Sequence, residues 1–380
     1  MMKLLSDDNR ITFYIPIKDK WSVELPFCDV VFIRSANAIT LWVKTLKTLL
    51  KDRKRLDVLI AYNPSVKTSP IIFLKILRSV PVVVDYVDKR GVSIGRTRNN
   101  LRSLVGSIYV RVNLDVIVER LFLLTINNWI TSTKYLQNEI RRFKKDANIL
   151  FYRGTFSEQL CLDEKTELFS VIVNENVINI AYMGALYPTI GVDILLNAFS
   201  KLAFENIHLY ITGHGPMKPV LKNTVEEKKI SNVSIIHLDY GVVHKFMSEM
   251  NILVLPLKNA KRNITNFPSK IIEYLWAGKA IIATTVGEDV LDIFENGKTA
   301  ILIEPENEEA LRIALADLIT DEKKRKELGV NARRHFDDNF SEKIVKSKIT
   351  EYLNDIVNSK RFGHRDFRDT HQYISEPPLS

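Results

Sequence analysis

Residues 265–284 read TNFPSKIIEYLWAGKAIIAT, and their reading decides the fold. Asn266 is expected to cap a helix, with Phe267 and Pro268 fixing the angle at which the chain enters it; proline is well tolerated in a first helical turn. Residues 269–277 follow as a short amphipathic helix with one carboxylate, Glu273, and Gly278 stops it. Residues 279–283, KAIIA, then read as a buried strand. A loop feeding a helix N-terminus offers unpaired N–H groups and a positive dipole end to a phosphate. A carboxylate one turn further in can accept hydrogen bonds from a ribose. The stretch therefore points to a nucleotide diphosphate site on an α/β fold.

Working outward, the second half of the chain alternates between the two periods. Strands are predicted over 177–183, 208–212, 233–238, 251–257, 279–284 and 299–303. Helices are predicted over 192–203, 217–229, 242–250, 288–296, 306–319 and 322–336. About six βα units of this kind make a doubly wound parallel sheet with helices on both faces. Ligands bind such sheets at the carboxyl ends of the strands, where Gly184, Gly213 and the loop before Phe267 would lie. The first half is similar but less regular. Its strands are expected over 11–17, 30–33, 56–61, 80–85, 129–131 and 147–150, and its helices over 40–50, 70–77, 114–123 and 133–143. This gives two Rossmann-like α/β domains, an N-terminal one over 1–165 and a C-terminal one over 166–340, with a cleft between them. A helix over 341–360 is expected to return to the N-domain, and the polar tail 361–380, with Pro377 and Pro378, to be disordered.

The 380 residues are 46% hydrophobic, enough for two cores. Charge is unevenly placed. Residues 1–170 hold 28 basic and 17 acidic side chains, a net of +11, whereas the rest hold 26 and 28. An anionic partner is expected for the first half. The first glycine is Gly91, and ten of the 14 lie after residue 170. Cys28 and Cys161 have no metal or redox spacing, and reduced thiols are favoured over a lone disulfide. The most apolar window, residues 71–87, is broken by Lys75, Arg78 and Asp85, too interrupted for a span of about 20 residues. A cytoplasmic protein is expected, with peripheral attachment to the inner face of the membrane as a second reading.

Four blocks carry a resemblance. AYMGALYPTIGVDILLNAFSKL at 181–202, LYITGHGP at 209–216, NFPSKIIEYLWAGKAIIATTVG at 266–287 and ENGKTAILIEPENEEALRIALADLI at 295–319 follow one another in family order. Together they resemble the C-terminal domain of the GT-B fold, family-4 retaining glycosyltransferases, also called group 1 glycosyltransferases. VERLFLLTINNWITSTKYL at 118–136 resembles the family's N-domain more weakly. The resemblance implies transfer of a hexosyl unit from a nucleotide diphosphate sugar to a glycan or lipid-linked acceptor, in cell-surface polysaccharide or glycoconjugate synthesis. It implies retention at the anomeric carbon, with no cofactor beyond the donor substrate and no metal. The lack of any Asp-x-Asp triplet agrees with a metal-free site. By resemblance, Glu273 binds the donor ribose, and Phe267, Pro268, Ser269 and Lys270 meet the diphosphate or sugar. Gly184, Gly213 and Gly215 let the backbone approach the donor. A leaving diphosphate needs N–H groups and cations, and Lys258, Lys261, Arg262 and Lys270 cluster around that loop. On the acceptor side, Asp88 is kept.

The chain departs from the family at several points. Its usual pair of glutamates eight apart is here Thr265 and Glu273. Its phosphate-binding Arg and Lys after the first C-domain strand are Ala185 and Ile190, and its N-domain histidine aligns with Val87. The opening strand and Gly-rich turn of the N-domain have no counterpart before Gly91, so this domain is expected to lack its first strand. A catalytically silent GT-B partner or scaffold is the alternative these departures raise, and a sugar-nucleotide epimerase on the same fold is a third. Two further readings concern residues 89–124, which mix Arg96, Arg98, Arg102, Arg111 and Arg120 with apolar residues. One is a solvated basic face over a core helix, the other attachment to an anionic membrane surface. Nucleic acid is disfavoured, because the one aromatic among these arginines, Tyr109, is not the interleaving that stacking would require.

Overall fold

The computed structural model describes residues 12–17, 29–34, 38–77, 80–87, 89, 105–156, 173, 176–238 and 240–361. Asp88, Cys28, Cys161, Arg96, Arg98, Arg102 and the tail beyond Arg361 lie outside these residues. The N-terminal part runs β1 (Thr12–Ile17), β2 (Asp29–Arg34), α1 (Ala38–Asp52), β3 (Leu59–Tyr62), α2 (Pro70–Ile76), β4 (Val82–Tyr86), α3 (Val105–Thr125), β5 (Asn128–Thr131), α4 (Lys134–Phe143) and β6 (Asn148–Phe151). β1 and β2 pair in parallel, and β3-β4-β5-β6 form a second parallel sheet in that order. Each strand of the four-stranded sheet is a short run rich in Val, Ile, Leu and Trp, as a sheet buried on both faces requires.

The C-terminal part runs β7 (Ile178–Met183), α5 (Val192–Ser200), β8 (Ile207–Thr212), α6 (Lys218–Glu227), β9 (Val233–Ile236), α7 (Tyr240–Ser248) and β10 (Ile252–Leu255). It continues with α8 (Lys261–Thr265), α9 (Lys270–Ala277), β11 (Ala280–Thr284), α10 (Glu288–Ile293), β12 (Ile301–Ile303), α11 (Glu308–Thr320), α12 (Glu322–Asn339) and α13 (Glu342–Arg361). Six parallel strands lie in the order β12-β11-β10-β7-β8-β9. The chain winds outward from β7 through β8 to β9, then crosses back to add β10 on the other side of β7. That reversal is a topological switch point, the place where an open α/β sheet parts and leaves a crevice. Apolar clusters cover both sheet faces. One holds Tyr274, Leu275 and Met247, the other Leu195, Phe199 and Leu315.

α13 does not stay with the C-terminal sheet. Its residues Tyr352 and Ile356 pack on Val83 and Ile130 of the four-stranded sheet. The Tyr352 hydroxyl lies 2.9 Å from Trp129 O and 3.0 Å from Asn148 O, bridging β5 and β6. The opposite face of that sheet carries α1 to α4 through Leu49, Leu74, Phe122 and Leu136. No helix among the described residues is long and apolar enough to cross a membrane.

Two local expectations need correction. Asn266 caps no helix start. Residues 261–265 close a turn of their own as α8, and Asn266 ends it in extended backbone, its N–H donating to Arg262 O at 3.0 Å. The helix α9 begins at Lys270 instead, with Ser269 at its N-cap position and no side-chain cap bond. At the other end of the chain, the last helix continues to Arg361, the residue expected to open the tail.

Candidate functional site

The switch point makes its own polar problem. β7 and β10 pair at Ala181 and Leu253 and then separate. Beyond that point the Met183 N–H and the Val254 C=O have no strand partner across the gap, and buried backbone groups must find one. Tyr274, fully buried on α9, supplies it. Its hydroxyl accepts from Met183 N at 3.0 Å and donates toward Val254 O at 3.4 Å. Burial drives the Tyr274 hydroxyl far above the ordinary tyrosine range, so it stays protonated and able to donate. One helix is thereby pinned to the mouth of the crevice, and the residue before Tyr274 is Glu273.

Glu273 is held from two sides. Lys270, one turn earlier, donates to Oε2 at 2.7 Å, and His244 Nε2 from α7 stands 3.8 Å from the same oxygen. His244 is buried beside Phe156, with ring centroids 4.3 Å apart. Burial pulls its imidazole below the ordinary histidine value and outweighs the attraction of the Glu273 carboxylate, so it is neutral at pH 7. The first turn of α9 adds backbone N–H groups and the positive end of the helix dipole beside the Lys270 ammonium. Phe267, Pro268 and Ser269 lead directly into this turn, the first two half-buried and Ser269 exposed.

The loop after β7 forms the other wall. It is stitched to the loop after β10: Gly191 N donates to Pro256 O at 2.7 Å, and Asn263 Nδ2 donates to Thr189 O at 2.8 Å. Gly184 lies against the site, since a Cβ there would stand 3.9 Å from Lys270 Cε and 2.9 Å from Tyr182 Oη. Gly213 is needed for a different reason. Its φ is +138°, and a Cβ would fall 1.8 Å from Gly184 O, so the two strand-end loops touch backbone to backbone. Gly215 meets the Leu186 carbonyl in the same manner.

The structure thus brings Gly184, Lys270 and Glu273 together, with residues 267–269 beside them. Lys261 and Arg262 are exposed on α8, where the Arg262 guanidinium sits 5.5 Å from the Tyr187 ring centroid. Lys258, expected among the diphosphate cations, is instead paired with Asp193 on α5 at 2.9 Å. Thr265, in the place of a first glutamate, is 1% exposed and its hydroxyl is 3.0 Å from Asn266 Oδ1.

Sequence reasoning missed Tyr274, His244 and a joint between the two parts of the chain. Arg153, just after β6, is buried and reaches Asp289 and Asp292 of α10, both at 2.7 Å. Lys134, at the start of α4, adds its N–H to Asp289 at 3.1 Å and its ammonium to Asp292 at 2.6 Å. The Arg153 guanidinium also lies 5.8 Å from the Phe267 ring centroid, tying this joint to the loop before α9. Burial outweighs the Arg153 pairing at Asp289 and holds that carboxyl above its ordinary range. At Asp292 the same burial is outweighed by Lys134 and Arg153, and the carboxyl falls below it. The local signal was slight: an arginine directly after an apolar strand, 136 residues from its partner.

Residues 163–335 match the family described as "Glycosyl transferases group 1". An uncharacterized glycosyltransferase of Methanocaldococcus jannaschii is 28% identical over 231 residues, 60% of each chain. The capsular polysaccharide biosynthesis glycosyltransferase CapM of Staphylococcus aureus is 22% identical over 203 residues, 52% of this chain and 50% of that one. The chain therefore spans about half the length of the curated relatives it matches. Among solved structures, sucrose-phosphate synthase of Thermosynechococcus elongatus superposes with a TM-score of 0.71 at 14% identity, covering 94% of this chain and 92% of that one. Anabaena HepE in complex with UDP gives 0.65 at 14% identity, covering 86% of each. Residues 163–335 match the group 1 glycosyltransferases, and the fold of the chain is that of the GT-B enzymes it superposes on.

Proposed function

We propose that the chain transfers a hexosyl unit from a nucleotide diphosphate sugar to a glycan or lipid-linked acceptor, with retention and without a metal ion, in cell-surface polysaccharide or glycoconjugate synthesis. The observation that carries this is the Lys270–Glu273 pair on a helix locked to the switch point by Tyr274. In this reading Glu273 takes the ribose hydroxyls, while Lys270 and the first N–H groups of α9 meet the diphosphate. Lys261 and Arg262 are the further cations, and Phe267, Pro268 and Ser269 shape the sugar end. Asp88 serves the acceptor. The bond from the acceptor oxygen to the anomeric carbon forms as the sugar–phosphate bond breaks on the same face. The departing diphosphate takes the acceptor's proton, and the protein positions both partners and neutralises charge. Work of this kind on a lipid-linked acceptor places the enzyme in the cytoplasm, against the inner face of a membrane. Support comes from the resemblance to CapM and from the UDP that the HepE structure contains.

Calorimetry with UDP on the wild-type chain and on Glu273→Ala tests the donor site. The substitution should weaken binding at least about tenfold, since it removes charge-assisted hydrogen bonds of roughly 1.5–3 kcal/mol. Unchanged affinity would remove Glu273 from the site. A second reading, a donor-binding protein without turnover, is favoured by Thr265, whose buried hydroxyl cannot replace a carboxylate. Release of free sugar or transfer to an acceptor by the purified chain rules that reading out.

A further inference from the structure

A buried ion pair contributes little net stability, because the attraction between the charges is offset by taking them out of water; its better-attested use is to fix an arrangement. Arg153 belongs to such a pair, with its side chain 8% exposed. Its two terminal nitrogens go to different carboxylates, Nη2 to Asp289 and Nη1 to Asp292, each at 2.7 Å. Its Nε is buried and has no hydrogen-bond partner among the described residues. The two attachments hold the guanidinium over two aromatic rings, Phe151 at 4.4 Å and Phe267 at 5.8 Å from Cζ to the centroid. Phe151 ends β6 in the N-terminal part, and Phe267 leads into α9 in the C-terminal part. One cation is therefore shared between a ring of each.

Other contacts converge on the same loop. The Thr133 hydroxyl, just before α4, lies 3.5 Å from Thr265 O. The turn that opens α10 packs on α8, since a Cβ at Gly287 would stand 3.5 Å from Ile264 Cα. Residues 265–267 are thus reached from the N-terminal part. Glu273, further along, is held differently: Lys270 and His244 flank it and Tyr274 pins its helix, all within the C-terminal part. The two ends of the crevice have separate supports.

We propose that Arg153 is a positioning residue for the sugar end of the donor site. The C-terminal part builds the nucleotide end unaided, and the N-terminal part completes the sugar end by hanging Phe267 from Arg153. The role given to Phe267 rests on the function proposed above; the coupling of Arg153 to Phe267 does not. The test uses the full chain carrying 4-fluorophenylalanine, with Phe267→Leu to identify the resonance of that ring. Arg153→Met keeps the apolar stem and removes the fork. Without ligand it should move the Phe267 fluorine resonance. Lys134→Met, which breaks a joint contact made to Asp292 and not to Phe267, should leave the resonance in place. Calorimetry with UDP and with UDP-glucose then reads the site. Arg153→Met should lower the affinity for UDP-glucose at least about threefold more than that for UDP. In a Phe267→Leu background it should add nothing to that difference. Arg153→Lys, which keeps the charge and lacks the fork, serves the same comparison should Arg153→Met fail to fold. An unmoved resonance in a folded Arg153 variant overturns the proposal. So does an equal change for UDP and UDP-glucose, or none, which would make the residue structural only. Wild-type chain that binds neither compound overturns the donor reading and the role of Phe267 with it, while the resonance separately shows whether Arg153 places that ring.

Discussion

In the six-stranded sheet a buried tyrosine on a helix, Tyr274, joins two strands where they part. In the four-stranded sheet a buried tyrosine on a strand, Tyr86, bonds a carboxylate on a helix, Glu119. The first arrangement fixes a helix so that its N-terminal pair, Lys270 and Glu273, faces the crevice. The second pulls a charge inward, while Leu114, Ile117, Leu121 and Leu124 of the same helix stay exposed. Two parallel sheets covered by helices therefore direct their polar groups in opposite senses, one toward the crevice at the switch point and the other into the core. A buried polar group must be satisfied wherever it lies, and what it is paired with decides which face of its element is left for function.

The joint between the two regions is where the comparison breaks most severely. Asp289→Ala leaves the buried Arg153 with Asp292 alone and should cost roughly 3 kcal/mol in urea unfolding, the low end for removing one member of a buried pair. Asp289→Asn, which still accepts from Lys134 N, should cost less. Within the C-terminal region, Tyr274→Phe keeps the ring and removes the hydroxyl that serves Met183 N and Val254 O. The expected loss is about 1–3 kcal/mol, with weaker UDP binding because α9 is no longer pinned. Equal UDP affinity in this variant would separate the pin from the site.

The N-terminal region supplies the smallest effect and one of opposite sign. Burial raises the Asp85 carboxyl on β4 from 3.8 to about 6. The folded chain therefore keeps this proton up to about pH 6, whereas the unfolded chain releases it near pH 4. Stability from this group is present below pH 4 and is lost as pH rises through the interval to pH 6. Asp85→Asn should consequently stabilise the chain at pH 7 by about 1–2 kcal/mol and change little at pH 4. Unfolding midpoints measured at the two pH values check it; a destabilised variant at pH 7 would show that the carboxylate has a use.

Much of this was legible in the residues because the controlling interactions are local. The apolar runs 252–255 and 280–284, the helix between them and Gly278 at its end are set by periodicity and by a backbone that turns left-handed at φ 62°. Glu273 and Lys270 share a face because they are three residues apart. Tyr274 read only as a core aromatic, since the gap it fills exists only when β7 and β10 separate. Asn266 misled for a related reason: its side chain suits a cap, but the five residues before it close a turn of their own.

The sequence by itself determined the α/β class, the order of strands and helices in the C-terminal part and the pairing of Lys270 with Glu273, because hydrophobic period, turn residues and short spacings act within a few residues. Tertiary structure alone decided which charges are spent on joining distant parts of the chain and which pair within one helix or stay exposed. Lys258, Arg153 and Asp289 look no different in sequence from Lys270, Arg120 and Glu273. Their partners lie 65 to 136 residues away, and only the folded chain brings them within 3 Å.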